Sequence, residues 1–296
     1  MITTLKSKSG SNCLIDTDMP NEIYHSMDEY WGSSMLRSLY NNSKKYKYLK
    51  IKTTPVMQFG TDFDYYLLQN DLFNKLYIIY DEDKRQDTTK TMSAKINIAW
   101  KKEIIEEANS EGKSILSKSD LLDFEGMRDS IFAWRKNGYY PIKLWVENNE
   151  AQVSYFIDDF NGIKAKIRPD LLIKQLSILG DLKVTHDAST IGFKQMVKAM
   201  SYDLQIAYYK DIYEEITSIE QKTVFWLCVE PKYPYCFNPI EVPEKAIESG
   251  RLGYTLAIEK AKNLLLSYDG YPDSIPDGKY FNQMDWNDWD TKRWLK

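Results

Sequence analysis

The sequence predicts an α/β (α+β) chain, with a central mixed sheet flanked by helices and a helical N-terminal part. Three observations carry this. Helical periodicity dominates to about residue 140. From Lys143 the period changes to strand-like alternation. An apolar run at 223–229, after a long helical segment at 190–216, reads as a buried central strand. The expected organisation is an N-terminal arm (1–30), one domain (31–270, with a helical part at 31–140 and a core at 141–230) and a tail (271–296). The tail packs on the domain or on a neighbouring subunit.

A chain of 296 residues is long enough to bury a sizeable core. Its net charge of −4 argues against a protein that coats DNA over its whole surface, but leaves room for a local basic patch. The three cysteines, Cys13, Cys228 and Cys236, form no CxxC pair and are too few for a four-cysteine cluster. A reducing cytoplasm is the expected location. The opening MITTLKSKSGSN has no apolar signal region, and no run of about 18 apolar residues occurs, so neither export nor a membrane span is expected.

Taken in order, residues 33–48 read as a helix with Leu36, Leu39 and Tyr40 on one face. No acidic residue falls between Tyr30 and Thr61, while Arg37, Lys44, Lys45, Lys47, Lys50 and Lys52 give that window a charge of +6. Tyr40, Tyr46 and Tyr48 interleave with them. Basic plus aromatic side chains suit a phosphate-and-base surface, although a solvated helix end looks the same in sequence. Pro55 is expected to break the chain. A helix then begins near Thr61 and carries Phe63, Leu67 and Leu68, with Asp64 as a cap or solvent residue. Residues 81–93 are a charged loop. Residues 94–109 and 117–134 are helices closed by Gly112 and Asn137-Gly138.

Residues 150–157 read as a strand entering at Glu150 and turning at 158–162. Ile163, Ala165 and Ile167 then alternate with Lys164, Lys166 and Arg168, as in a half-buried strand. A second strand at about 176–185 completes a hairpin. The helix at 190–216 buries Phe193, Met196, Val197, Met200, Leu204 and Ala207, and carries Tyr202, Gln205 and Tyr209 as a second stripe. Residues 231–239 are a proline-rich loop, and a mixed-charge helix spans 243–268.

Chemistry concentrates in IKAKIRPDLLIKQLSILGDLK. Residues i and i+2 of a strand point the same way, about 6.6 Å apart. Asp181 and Lys183 therefore share one face, and Leu182 and Val184 the other. With Asp170 at the end of the neighbouring strand, two carboxylates converge, and a hard cation such as Mg²⁺, with Mn²⁺ as the alternative, relieves their repulsion. Such a site cleaves phosphodiesters: the metal activates water, and Lys183 orients it or stabilises the transition state. The acid-x-Lys triplet alone is weak, because residues 82–84, 111–113, 220–222 and 290–292 repeat it. Only Asp170 with Asp181-x-Lys183 adds strand patterning and a following helix. The plain alternative is a surface hairpin with an ion pair worth about 1 kcal/mol or less.

These segments, GIKAKIRPDLLI, GDLKVTHDAS and FKQMVKAMSYDLQIAYY, resemble the PD-(D/E)xK nuclease superfamily. They are most similar to phage and prophage recombination exonucleases of the exodeoxyribonuclease VIII type. The resemblance implies a restriction-endonuclease-like core and catalytic roles for Asp170, Asp181, Lys183 and Gln205. It implies a metal set of Asp170, Asp181, Leu182, Asp64 and Glu150. Asp64 stands where relatives carry histidine, and His25 and His186 do not obviously substitute. DNA contacts implied by the basic window and this likeness are Arg37, Lys44, Lys45, Lys47, Arg168, Tyr202 and Tyr209. The family activity is Mg²⁺-dependent 5′-to-3′ digestion of one strand of duplex DNA, leaving a 3′ strand for a single-strand-annealing recombinase. It is performed by rings of three or four subunits in a bacterial or phage-infected cytoplasm. The alternatives are an inactive DNA- or partner-binding relative, left open by Asp64, and an endonuclease of the same fold.

Overall fold

The computed structural model of the protein describes residues 1–41, 46, 53–139 and 141–266. The expected tail at 271–296 lies outside them, as do Lys44, Lys45 and Lys47. Strands β1 (Ile2–Lys6), β2 (Asn12–Asp16), β5 (Ser154–Phe160) and β6 (Ile163–Ile167) form an antiparallel sheet in the order β1-β2-β5-β6. A second, mixed sheet has the order β10-β9-β8-β7, from β7 (Leu171–Ile173), β8 (Ile178–Val184), β9 (Thr223–Val229) and β10 (Phe237–Glu241). In it β8 and β9 run parallel, with Asp181 opposite Trp226 and Lys183 opposite Cys228.

The two sheets meet at Arg168-Pro169-Asp170, where the β6–β7 run bends. Pro169 cannot donate to a ladder, which favours interruption there. The segment before β5 bridges the bend: Gln152 N donates to Pro169 O (3.3 Å) and Glu150 N to Leu172 O (2.9 Å). Residues 1–30 are thus not a detached arm, because β1 and β2 are stitched onto β5. β1 is largely exposed and shows no apolar alternation, so its pairing has no local signature.

The mixed sheet separates two cores. On one side lie Leu179, Trp226 and Cys228, packed against α8 (Thr190–Met200) and α9 (Tyr202–Thr217). On the other lie Leu182, Phe225 and Leu227, facing α3 (Pro55–Leu68), α6 (Lys118–Ala133) and α7 (Pro141–Glu147). Gly180 allows the close approach of β8 to β9, since a Cβ there would lie 2.6 Å from the Phe225 ring. The long helix α10 (Glu244–Leu266) packs along α9 and α2 (Ser33–Asn41).

Several boundaries differ from expectation for identifiable reasons. Pro55 opens α3 rather than breaking the chain, because Thr54 caps it by accepting from Met57 N at 3.2 Å. Asp64 therefore sits in the third turn, away from the cap. The helix expected at 190–216 is two helices, divided at Ser201 in a left-handed conformation. The hairpin partner of β8 is β7, not β6. Part of the proline-rich loop is strand β10, where Pro239 is tolerated on an edge. Elements without a sequence prediction are α1 (Asn21–Ser26), α4 (Asn70–Leu76) and the parallel pair β3 (Tyr77–Tyr80) and β4 (Ser114–Ser117). Helix α5 (Lys95–Ser110) connects that pair. No helix among the described residues is long and apolar enough to cross a membrane.

Candidate active site

β8 delivers Asp181 and Lys183 to the α9 side of the sheet, while Leu182 and partly buried Val184 face the opposite core. Asp181 is almost fully buried, at 1% exposure. Neither of its carboxylate oxygens has a properly aligned hydrogen bond. Lys183 Nζ lies 2.5 Å from Oδ2 as an ion pair and 4.7 Å from the centre of the Tyr202 ring. Burial works against the charge on Lys183, but Asp181 and Asp170 outweigh it, so its pKa is raised and it stays cationic.

Asp170 stands where the strand bends into β7. Its Oδ2 accepts from Leu182 N at 3.0 Å and its Oδ1 from Gln152 Nε2 at 3.2 Å. Burial first, and the neighbouring Asp181 second, push its carboxyl up to about 7. Asp64 reaches the same field from α3. Burial, then Asp170, holds its pKa well above the carboxylate range, with Asp181 adding to the effect. On α9, Gln205 Nε2 donates to the Tyr209 hydroxyl at 3.2 Å. Burial, reinforced by Asp170 and Asp181, pushes that hydroxyl up to about 12. Asp64, Asp170 and Tyr209 line one cleft of about 180 Å³, together with Tyr24, His25 and Arg168.

The cluster therefore brings together Asp64, Asp170, Asp181, Lys183, Tyr202, Gln205 and Tyr209. Glu150 is not among them. It is partly exposed and pairs with Lys174 at 2.6 Å, because residues 148–153 form a turn before β5 and direct its side chain elsewhere. Arg168 lines the cleft, but its guanidinium is largely spoken for. It donates to Ser154 Oγ (2.7 and 3.0 Å), Met19 O (3.0 Å) and Asn21 Oδ1 (3.3 Å), and lies 4.1 Å from the Tyr24 ring centre. The expected solvent face of β6 is closed at its far end: Lys164 is exposed, but Lys166 is buried and donates to Tyr24 O and Met27 O. Arg37 donates to Met200 O at 2.6 Å.

Gln152 and His25 were not singled out by sequence reasoning. Gln152 has no local signature, since its role depends on Asp170, 18 residues away. In sequence His25 does not obviously substitute for the histidine that relatives carry at position 64, yet it lines the cleft, and burial lowers its pKa.

The donor set fits a divalent cation in charge and type. Three carboxyl groups, the buried Asp181 and the half-buried Asp64 and Asp170, face a single lysine, Lys183. Asp181 Oδ1 has no hydrogen-bond partner and Oδ2 meets only the Lys183 ammonium, and both raised carboxyl pKa values report burial first and carboxylate repulsion second. Among the described residues, no three His, Cys, Asp or Glu side chains close around a single point. A cation held here would therefore draw on main-chain oxygen and water beside Asp170 and Asp181, as suits Mg²⁺.

A solved structure from Eubacterium rectale, described as a "Putative exonuclease", is similar in fold. It has a TM-score of 0.50 and 16% identity, over 90% of this chain and 96% of that one. Among curated proteins, none matches. Residues 34–268 match a family described as a PDDEXK-like domain of unknown function. That match spans both halves of the mixed sheet and every residue of the cluster, and the chain belongs to this PDDEXK-like family, DUF3799.

Proposed function

We propose that the protein is a divalent-metal-dependent deoxyribonuclease that degrades one strand of linear duplex DNA from its ends. The proposed direction is 5′ to 3′, leaving a 3′ single strand for recombination. One observation carries the reading: the buried carboxylate of Asp181 and the half-buried one of Asp170 converge beside a lysine held cationic.

Asp170 and Asp181 would hold Mg²⁺ or Mn²⁺, with the Leu182 main chain and Asp64 contributing oxygen. A cation bound there supplies Lewis-acid polarisation of the phosphoryl group and a more acidic water. Lys183 orients the attacking water and stabilises charge developing on the phosphoryl oxygens. The water oxygen bonds to phosphorus as the bond to the leaving sugar oxygen breaks. That oxygen gains a proton, and the water's surplus proton passes to solvent. Tyr202 braces the Lys183 ammonium through its ring face, and Gln205 fixes the Tyr209 hydroxyl at the cleft wall. A ring of three or four copies, with basic side chains turned inward, would reconcile DNA binding with a net charge of −4.

The test is incubation of purified protein with linear, nicked and circular duplex DNA, with and without Mg²⁺. Mononucleotide release from linear DNA alone supports the exonuclease, and cleavage of circles supports an endonuclease of the same fold. No hydrolysis, or undiminished hydrolysis in the Asp181→Ala/Lys183→Ala variant, overturns the site.

A further inference from the structure

We propose that Gln152 is a positioning residue, whose carboxamide fixes the Asp170 carboxylate in the orientation that takes up a divalent cation. The inference rests on the metal-site reading above.

Two neutral donors hold Asp170. Gln152 Nε2 takes Oδ1 at 3.2 Å and Leu182 N takes Oδ2 at 3.0 Å. One donor on each oxygen sets the plane of the carboxylate and leaves each oxygen a further lone pair for a cation. The neutrality matters. A lysine or arginine at this position would neutralise Asp170 and compete with the metal, whereas an amide orients the group and leaves its charge intact.

The backbone of Gln152 is unusual. Its φ is 57°, in the left-handed region, which costs a residue with a Cβ about 1–2 kcal/mol. Asn148 and Asn149, better suited to that conformation, lie only a few residues earlier in the same turn and are not used for it. The Gln152 main chain is pinned by its hydrogen bond to Pro169 O, next to the residue its side chain holds. The side chain is only half-buried. It lines the candidate cleft and also an adjoining cavity of about 460 Å³, so it fills no core. A strained, weakly packed glutamine whose side-chain amide donates to a candidate ligand fits a positioning role better than a structural one.

The test uses the full chain and Mn²⁺, titrated by calorimetry into wild type, Gln152→Met and Gln152→Gly. The methionine keeps the length of the side chain and loses the amide, and the glycine also relieves the left-handed backbone. Both variants are expected to bind Mn²⁺ about tenfold more weakly. At saturating Mn²⁺ turnover should fall with the KM for linear duplex unchanged, and Gln152→Gly should melt no lower than wild type. Wild-type Mn²⁺ affinity in both variants, with a higher melting temperature for the glycine, overturns the inference alone and leaves a merely strained turn. A wild-type protein that binds no Mn²⁺ overturns the metal reading and this inference with it.

Discussion

Without metal, the protein is expected to become less stable as pH rises from 5 to 8, and Asp170 is the main cause. Its carboxyl is pushed from 3.8 in the unfolded chain to about 7 by burial and by Asp181. The sign follows from proton counting. Between these values the folded state keeps a proton that the unfolded state has released. Stability is therefore fully present below about pH 4 and is lost as pH rises towards 7. From pH 8 to pH 5 the gain is about two pKa units, roughly 3 kcal/mol as an upper bound. For a chain of this size that is roughly 6 °C in melting temperature. Asp64, raised for the same reason, adds in the same direction. His25 opposes it, since its lowered pKa makes the folded state resist protonation as pH falls. The clean assay is therefore a difference: melting of wild type and Asp170→Asn in chelator at pH 5 and pH 8. The asparagine variant should be the more stable at pH 8, and its advantage should shrink by roughly 3 kcal/mol at pH 5. Added Mg²⁺ should stabilise wild type more at pH 8 than at pH 5, because a carboxylate must be deprotonated to ligate. Parallel pH curves for the two proteins would refute the uncompensated-charge argument.

Other perturbations separate ligands from scaffold. Asp64→Ala should weaken Mn²⁺ binding measured by calorimetry; an unchanged affinity would return Asp64 to a structural role. Glu150→Gln should leave Mn²⁺ affinity and turnover unchanged and cost at most about 1 kcal/mol in chemical denaturation, since its partner Lys174 is partly exposed. Gly250→Ala should destabilise by about 3 kcal/mol, although alanine gains about 1 kcal/mol in an ordinary helix. A Cβ there would meet the Asp203 carbonyl oxygen at 2.1 Å, and backbone cannot step aside.

What the sequence revealed, and what it hid, follows from the range of the interactions. Asp181 and Lys183 on one face of β8, with Leu182 and Val184 on the other, follow from strand geometry within four residues. The cap at Ser117 is equally local: its hydroxyl accepts from Asp120 N at 3.0 Å. Lys166 and Arg168 misled for the opposite reason. Alternation put them in solvent, but carbonyls at Tyr24, Met27 and Met19, about 140 residues earlier, accept from them inside the fold. The resemblance named Glu150 as a ligand, but the fold pairs Glu150 with Lys174 instead. With β5 starting only at Ser154, the turn before it offers Gln152, not Glu150, to Asp170.

The buried charges explain how a chain of net charge −4 can address a polyanion. Lys166, Arg168 and Lys183, which in sequence look like a basic strip, are spent on carbonyls, a hydroxyl and Asp181. None is a free surface cation for phosphate. The cleft itself carries Asp64 and Asp170, whose pKa values are both raised by burial and carboxylate repulsion, beside an Asp181 already paired with Lys183, so without metal it offers phosphate no net positive charge. On the proposed reading, a divalent cation at Asp170 and Asp181 would make the site locally positive. Metal and scissile phosphate would then favour each other's binding, and the coupling is reciprocal by thermodynamic necessity. Phosphate affinity would thus depend on the bound cation. Such a site would tie recognition and chemistry to one set of carboxylates, and the scaffold's remaining task would be to hold those carboxylates still.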